Sequence, residues 1–374
     1  MLQLFFLMLI ILFIITITIS LITAAVSGYN LFSRPVLRYL PRNNSSWKPL
    51  VSVLIPARNE AENIGRALYT ITQQTYRNIE IIVLDDHSDD RTAEIVRKVA
   101  NIEPRLRLIK GKPLPDGWTG KNWACHQLAR EANGEQLLFV DADVQLAPEA
   151  ISSGLARIEQ NKLDMLSVFP TQIMQSLSER LVVPMMNWIL LSFLPLRFVS
   201  DSPNPKFVAA NGQFILLSRE IYSVIGGHDA VKGKIVEDME LARKIKNNGN
   251  KIMTLLGGEL ISCRMYDNLV DAANGFTKNF YAGFNIPQWL FILFIAVLAV
   301  VYLVPFIAVL ENGLFIYPIT LIILNRLFIS IISQQAPLYN IILHPFQILL
   351  MLIIGIRSVE TYSKGQIVWK GRRI

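Results

Sequence analysis

Three short acidic stretches hold the residue types best suited to chemistry. Asp85-Asp86-His87-Ser88-Asp89-Asp90 follows a β-rich run over 79–84, apolar from 81 to 84. Turn formation and helix capping account for Ser88 and Asp89. Two carboxylates ahead of the turn exceed what a cap needs, and Asp86 is placed to accept hydrogen bonds from a ligand. Asp141-Ala142-Asp143 follows the apolar run 137–140. Alternate spacing points both carboxylates to one face of an extended chain. Like charges that close repel unless a cation lies between them, and oxygen ligands of this kind suit Mg2+ or Mn2+ bridging diphosphate oxygens. Glu237-Asp238 opens a run with apolar residues at 235, 236, 239 and 242, the spacing of a helix start. The macrodipole favours acids in a first turn; a general base is the functional alternative.

These motifs need elements to position them. Between 50 and 285 the pattern alternates. Strands are expected at 51–57, 79–84, 106–109 and 136–140, and helices at 60–73, 90–100, 123–131 and from about 237. Such alternation implies βαβ units and a mostly parallel, doubly wound sheet, whose ligands sit beyond the carboxyl ends of the strands. Both Asp motifs stand at such ends.

The rest of the chain is apolar. Of 374 residues, 52% are hydrophobic and 17% charged, with mean hydropathy +0.38. That excludes a disordered chain and argues against a purely soluble enzyme. Residues 4–25 and 289–310 are uncharged runs of 22 residues, long enough to cross a hydrocarbon core. Residues 314–333 form a third run, interrupted by Pro318, Asn325 and Arg326, and 341–356 a fourth of only 16. No basic residue precedes the first run, which reads as an uncleaved anchor rather than a signal peptide. If all four spanned, a cytoplasmic middle domain would leave the basic tail outside. One of the last three is therefore expected to be re-entrant or interfacial, and Arg326 points to the third.

Arg34, Arg38, Arg42 and Lys48 in 33–48, and Lys364, Lys370, Arg372 and Arg373 in 361–374, supply +8 of a net +7. Basic residues beside apolar segments follow the positive-inside rule and are expected to bind anionic headgroups; nucleic-acid binding is not implied. Two cysteines, Cys125 and Cys263, make no disulfide framework and fit a reducing compartment. The stretch 181–199, with Pro184, Trp188, Pro195 and Arg197, is expected to lie in the membrane interface, since a buried helix avoids internal prolines. The expected domains are an anchor at 1–27, a basic linker at 28–49, a catalytic domain at 50–285, a membrane region at 286–360 and a basic tail at 361–374.

The three motifs, in this order, resemble the family 2 glycosyltransferases of the GT-A fold, over about 51–249. The match includes Ser52-Val53-Leu54-Ile55-Pro56-Ala57-Arg58-Asn59-Glu60, Asp85-Asp86-His87-Ser88 (Gly is usual at His87), Asp141-Ala142-Asp143, Asn211-Gly212-Gln213 and Glu237-Asp238. Asp116-Gly117-Trp118-Thr119-Gly120-Lys121-Asn122-Trp123-Ala124 and the closing Val368-Trp369-Lys370-Gly371-Arg372 are similar to membrane members that glycosylate isoprenoid lipids, the diaponeurosporenoate-type carotenoid and hopene-associated enzymes.

The resemblance implies an α/β catalytic domain of GT-A type, Rossmann-like and mostly parallel, between N- and C-terminal transmembrane helices. It implies an inverting glycosyltransferase that moves a sugar from a nucleotide-sugar donor, UDP-glucose by default, to a membrane isoprenoid lipid, foremost a carotenoid. A hopanoid, another glycolipid or polyprenyl phosphate is the alternative acceptor. Asp238 would be the base. Pro56, Ala57, Arg58, Glu60, Asp86, Lys121 and Asp141 would bind the donor. Asp143, Asp141 and His228 would hold Mg2+ or Mn2+. Trp118, Gly212, Gln213 and Glu237 would face the acceptor. The implied location is a bacterial-type inner membrane with the catalytic domain cytoplasmic. A processive polysaccharide synthase is disfavoured because a Gln-x-x-Arg-Trp motif is missing. A transport or scaffold protein is the reading of another class.

Overall fold

The structure is a computed structural model that describes residues 2–42, 45–366, 368–369 and 372–373. The chain forms two compact units. One gathers Met1–Pro35, Met174–Leu196 and Tyr266–Gly365; the other gathers Val36–Ile173, Arg197–Met265 and Gln366–Ile374. The divisions differ from the expected domains: 174–196 and 266–285 belong to the helical unit and 36–49 to the other.

Ahead of the tail, the described residues of the second unit form the strands β1 (Val51–Ala57), β2 (Ile79–Asp85), β3 (Leu106–Lys110), β4 (Gln136–Val140), β5 (Val144–Leu146), β6 (Met165–Phe169), β7 (Thr171–Gln172), β8 (Phe214–Ser218), β9 (Ile252–Leu256) and β10 (Ile261–Cys263). Seven form one sheet, in the order β3-β2-β1-β4-β8-β6-β9. All neighbours are parallel except β8, which runs antiparallel to β4 and β6. β1, β2 and β4 are apolar nearly throughout because helices cover both faces of a parallel sheet. Helix Ile64–Thr72 buries Ile64, Ala67, Leu68 and Ile71, the spacing of one helical face. A smaller sheet, β5-β10-β7, closes beside it. Gly134 opens β4: a Cβ there would lie 2.5 Å from the Leu50 carbonyl oxygen, so only glycine lets the two strands begin side by side.

Among the described residues of the helical unit, four helices are long and apolar enough to cross a membrane: Phe6–Ser33, Gln288–Ala308, Gly313–Ile332 and His344–Ser363. The fourth run, short by composition, extends to Ser363. Polar side chains lace the unit together. Asn325 Nδ2 donates to the Thr23 carbonyl at 3.0 Å and to Ser192 Oγ at 3.1 Å, and Trp188 Nε1 donates to Asn325 Oδ1 at 2.9 Å. Asn30 takes the orphan carbonyls of Leu191 and Leu194 and accepts from Leu196 N. These bonds correct the reading of Trp188 as an interfacial side chain, for it is fully buried. Pro184 starts helix Pro184–Phe193 and Pro195 follows its end, so the prolines flank a buried helix instead of breaking one.

In the first basic stretch Arg42 differs from expectation. Arg42 pairs with Glu159 at 3.2 Å and stacks on Trp47 and Tyr76, so it is a packing residue, whereas Arg34, Arg38 and Lys48 are exposed. In the tail, Val368–Trp369 pairs antiparallel with Arg372–Arg373; Lys370 and Gly371 lie outside the described residues.

Candidate active site

The carboxyl ends of β1, β2 and β4 are adjacent, and the start of antiparallel β8 meets the same edge. Every acidic motif from the sequence reaches this edge or the helix beside it.

At the β1–β2 end, Pro56 and Ala57 are paired with Leu84 and Asp85. Asp86 N donates to the Ala57 carbonyl at 2.8 Å, and Arg58 Nη1 donates to the carbonyls of Asp86 and His87 at 2.6 and 3.0 Å. Asp85 Oδ1 accepts from Ser88 N at 3.2 Å, Ser88 Oγ from Asn59 N at 3.0 Å, and Thr92 Oγ1 from Glu60 N at 2.8 Å. So Asp85 and Ser88 shape the turn, while Asp86, buried to 2% exposure, stands at its floor. His87 has φ 55°, the left-handed region that explains the glycine usual at this position.

At the β4 end, Lys121 is the hub. It lies one residue into helix Gly120–Glu131, capped by Thr119. Its Nζ is 2.8 Å from Asp141 Oδ1 and 3.5 Å from Glu237 Oε1. Burial alone would lower the ammonium pKa, but the Asp141 and Glu237 carboxylates hold it well above its usual value. Asn122 donates to the carbonyls of Val231, Lys232 and Lys234 at 2.9–3.0 Å. That pins the loop leading into helix Glu237–Asn247, so the 116–124 signature sets the position of Glu237 and Asp238. Trp118 packs edge-on against Trp123, with His126 at 5.0 Å.

Gly212 N donates to Asp238 Oδ2 at 2.8 Å, and Met239 N donates to Asp238 Oδ1 at 2.7 Å. A Cβ on Gly212 would lie 2.9 Å from Lys121 Nζ and 3.3 Å from Glu237 Oε1, so glycine keeps this junction open. Burial and the neighbouring Glu237 push the Asp238 carboxyl up to about 7. A base with that pKa is about half deprotonated at pH 7 and basic enough to take a proton.

Asp143 is placed differently. Burial, then the Asp141 and Glu60 carboxylates, raise it to about 7. Its Oδ1 is buried without a hydrogen-bond partner. An orphaned carboxylate oxygen facing other acids is a fitting ligand for a divalent cation. Among the described residues no three His, Cys, Asp or Glu side chains form a ready cage, so donor phosphate oxygens and water would complete the coordination. The Cys263 thiol hydrogen-bonds Asp143. Gln213 Nε2 donates to Cys263 Sγ at 3.0 Å, and the Gln213 carbonyl accepts from Asp141 N at 3.3 Å. Gln213 thus supports both aspartates from beneath. Sequence reasoning passed over Cys263. It reaches Asp143 only because β10 pairs with β5, Cys263 opposite Val144, a register no local signal reveals.

His228 is buried at 2% exposure between Phe139 and Tyr222, and its Nδ1 shares a hydrogen bond with the Tyr222 hydroxyl at 2.8 Å. Burial and Lys121 lower its pKa to about 3. The neighbours that hold it are aromatic and cationic, the surroundings of a core histidine.

Residues 52–226 match the family described as Glycosyl transferase family 2. Residues 52–226 form a family 2 glycosyltransferase domain. The chain is 28% identical to 4,4'-diaponeurosporenoate glycosyltransferase of Staphylococcus haemolyticus, over 70% of each chain. It is 27% identical to the Staphylococcus aureus protein of that name, over 62% of this chain and 61% of the other. Mannosyltransferase PcManGT from Pyrobaculum calidifontis, solved with GDP-Man and Mn2+, superposes with TM-score 0.58 at 17% identity, covering 94% of this chain and 98% of that one. That likeness places the glycosyltransferase in the GT-A fold.

Proposed function

We propose that this glycosyltransferase transfers a sugar, with inversion, from a nucleoside-diphosphate donor to a membrane isoprenoid lipid, foremost a carotenoid carrying a hydroxyl or carboxyl. The observation that carries the reading is the junction at Gly212, where Lys121, Glu237 and Asp238 meet within reach of Asp141. The acceptor class is supported by the diaponeurosporenoate name of the relatives and by four helices fit to cross a membrane.

In this mechanism Asp238, held by two backbone N–H groups, accepts the acceptor proton as the hydroxyl attacks the anomeric carbon. Glu237 raises its basicity. Asp86, with the turn at Pro56, Ala57, Arg58 and Glu60, holds the donor's nucleoside. Lys121 neutralises Asp141 before the donor arrives and meets a phosphate oxygen afterwards. Asp143, assisted by Asp141, would hold Mg2+ or Mn2+, which supplies Lewis-acid stabilisation of the departing diphosphate. Trp118 belongs to the acceptor side, while Gln213, expected there, supports Asp141 and Asp143 instead. UDP-glucose is the donor to try first, and the inner-membrane location with a cytoplasmic catalytic unit follows from the basic stretches.

The test is expression in a carotenoid-producing host with mass analysis of the lipids. Glycosylated carotenoid in cells carrying the wild-type chain, and none with Asp238→Asn, is expected. An unchanged lipid profile with the wild-type chain would redirect the acceptor to a hopanoid or polyprenyl phosphate, which the same analysis detects.

A further inference from the structure

The helical unit encloses a positive charge that its own side chains do not neutralise. Arg326, in helix Ile316–Ile332, is 2% exposed. Its Nη2 donates to Gln347 Oε1 and lies 3.7 Å from Met185 Sδ, and the guanidinium stands 5.3 Å from the centre of the Trp188 ring. Its Nε has no hydrogen-bond partner, and among the described residues no carboxylate pairs with it. His344, 1% exposed, flanks the same indole at 6.1 Å, and neither of its ring nitrogens has a partner. Gln347 is oriented by its own bond to the Arg180 carbonyl at 2.8 Å.

A buried charge is ordinarily paired, because a lone one forfeits its hydration for nothing. An amide oxygen and an indole face offset part of that loss and carry no net charge. Ionisable side chains within membrane-length helices mark ligand or ion sites. Two donors without partners, Arg326 Nε and the N–H of His344, flank one aromatic ring.

We propose that Arg326, His344 and Gln347 form a binding site for the oxyanion of a lipid, a carboxylate or phosphate carried on an apolar tail. The anion supplies the missing counter-charge and accepts from Arg326 and His344. Gln347 fixes the guanidinium fork that receives it. The occupant is an amphiphile and not a free inorganic anion, since Trp188, Tyr302 and Phe306 wall the site and reward an apolar neighbour while giving a hydrated ion nothing. The site does not depend on the sugar-transfer reading.

The experiment uses the full chain in nonionic detergent with a long-chain fatty acid spin-labelled near its methyl end, and the methyl ester of the same probe. The acid is expected to bind at least tenfold more tightly than the ester and to raise the unfolding temperature of the wild-type protein, which the ester does not. Arg326→Gln is expected to lose at least tenfold in binding the acid and nothing for the ester, while Arg326→Lys stays within a few fold. Equal binding of acid and ester, or undiminished acid binding by a folded Arg326→Gln chain, overturns the proposal. If Arg326→Gln fails to fold, the wild-type acid–ester comparison decides alone. Competition identifies the source. Displacement by phosphatidylglycerol but not diacylglycerol assigns a bilayer phosphate, and displacement by retinoic acid but not phosphatidylglycerol assigns an isoprenoid carboxylate. Equal displacement by phosphatidylglycerol and diacylglycerol counts against an anion site.

Discussion

Asp238 and Asp143 share a raised pKa for different reasons, and the difference separates their roles. Asp238 is pushed up by burial and one adjacent acid, with both oxygens bonded to backbone N–H groups. Asp143 is pushed up by burial and two acids and keeps one oxygen bare. Sugar transfer is therefore expected to rise with pH through about 7 as Asp238 deprotonates, and a pH–rate profile checks it. Asp238→Asn should lower turnover by about 10²–10⁴-fold with donor affinity nearly unchanged; retained turnover removes Asp238 from the role of base. Raised carboxyl pKa values also mean that the folded state holds more protons than the unfolded one between about pH 4 and 7. Stability should decline as pH rises through that window, and Mn2+ should restore it at pH 8; thermal unfolding with and without the ion reads this. Cys263→Ala removes the thiol that orients Asp143. It should weaken Mn2+ binding several-fold by paramagnetic resonance titration, with Cys263→Ser intermediate; equal Mn2+ affinity in all three proteins would leave Cys263 a packing residue.

At the scale of elements, the two loops that frame the site are held by different means. The β1 and β2 turns are stitched by side-chain-to-backbone bonds among Asn59, Glu60, Asp85, Ser88 and Thr92. The left-handed His87 is the strained point in that turn. A β-branched residue tolerates this region worst, so His87→Val should cost more than about 1 kcal/mol and His87→Gly stay within that range, measured by chemical denaturation. The loop before Glu237 is held instead from outside, by Asn122. Asn122→Ala takes a donor from the carbonyls of Val231, Lys232 and Lys234 and should release that loop, lowering turnover more than donor affinity. Equal losses in both would mean that Asn122 serves the donor site directly.

On the scale of the whole molecule, one chain builds two kinds of interior. The sheet unit has an apolar core built from its strands and covering helices. The helical unit is apolar outside, where Leu4, Phe6, Trp289 and Phe346 are exposed, and polar within, where Thr23, Ser27, Asn325 and Gln347 are buried. That inversion is the pattern of helices solvated by lipid, where interhelical hydrogen bonds replace the hydrophobic effect as glue. Alkaline carbonate extraction is expected to leave the full chain in the membrane pellet, and release into the supernatant would contradict membrane insertion of these helices.

The strands 79–84 and 136–140, the carboxylates that follow them and the helix at Glu237 were all legible in the amino-acid order. Each rests on local physics: apolar runs buried on two faces, turn chemistry at strand ends and an acidic first helical turn. Tertiary structure alone decided what those groups touch. It brought Lys121 to Asp141 and Glu237, aimed Cys263 at Asp143 through the β10–β5 register, turned His228 into the core, and took Arg42 from the surface to Glu159. It also placed Pro184 and Pro195 at the ends of a buried helix, because a proline's effect depends on whether its missing N–H falls inside a helix or before its first turn. Pairings between residues scores of positions apart leave no periodic trace in a sequence, since what joins them is the closing of the sheet and not the habit of any one segment.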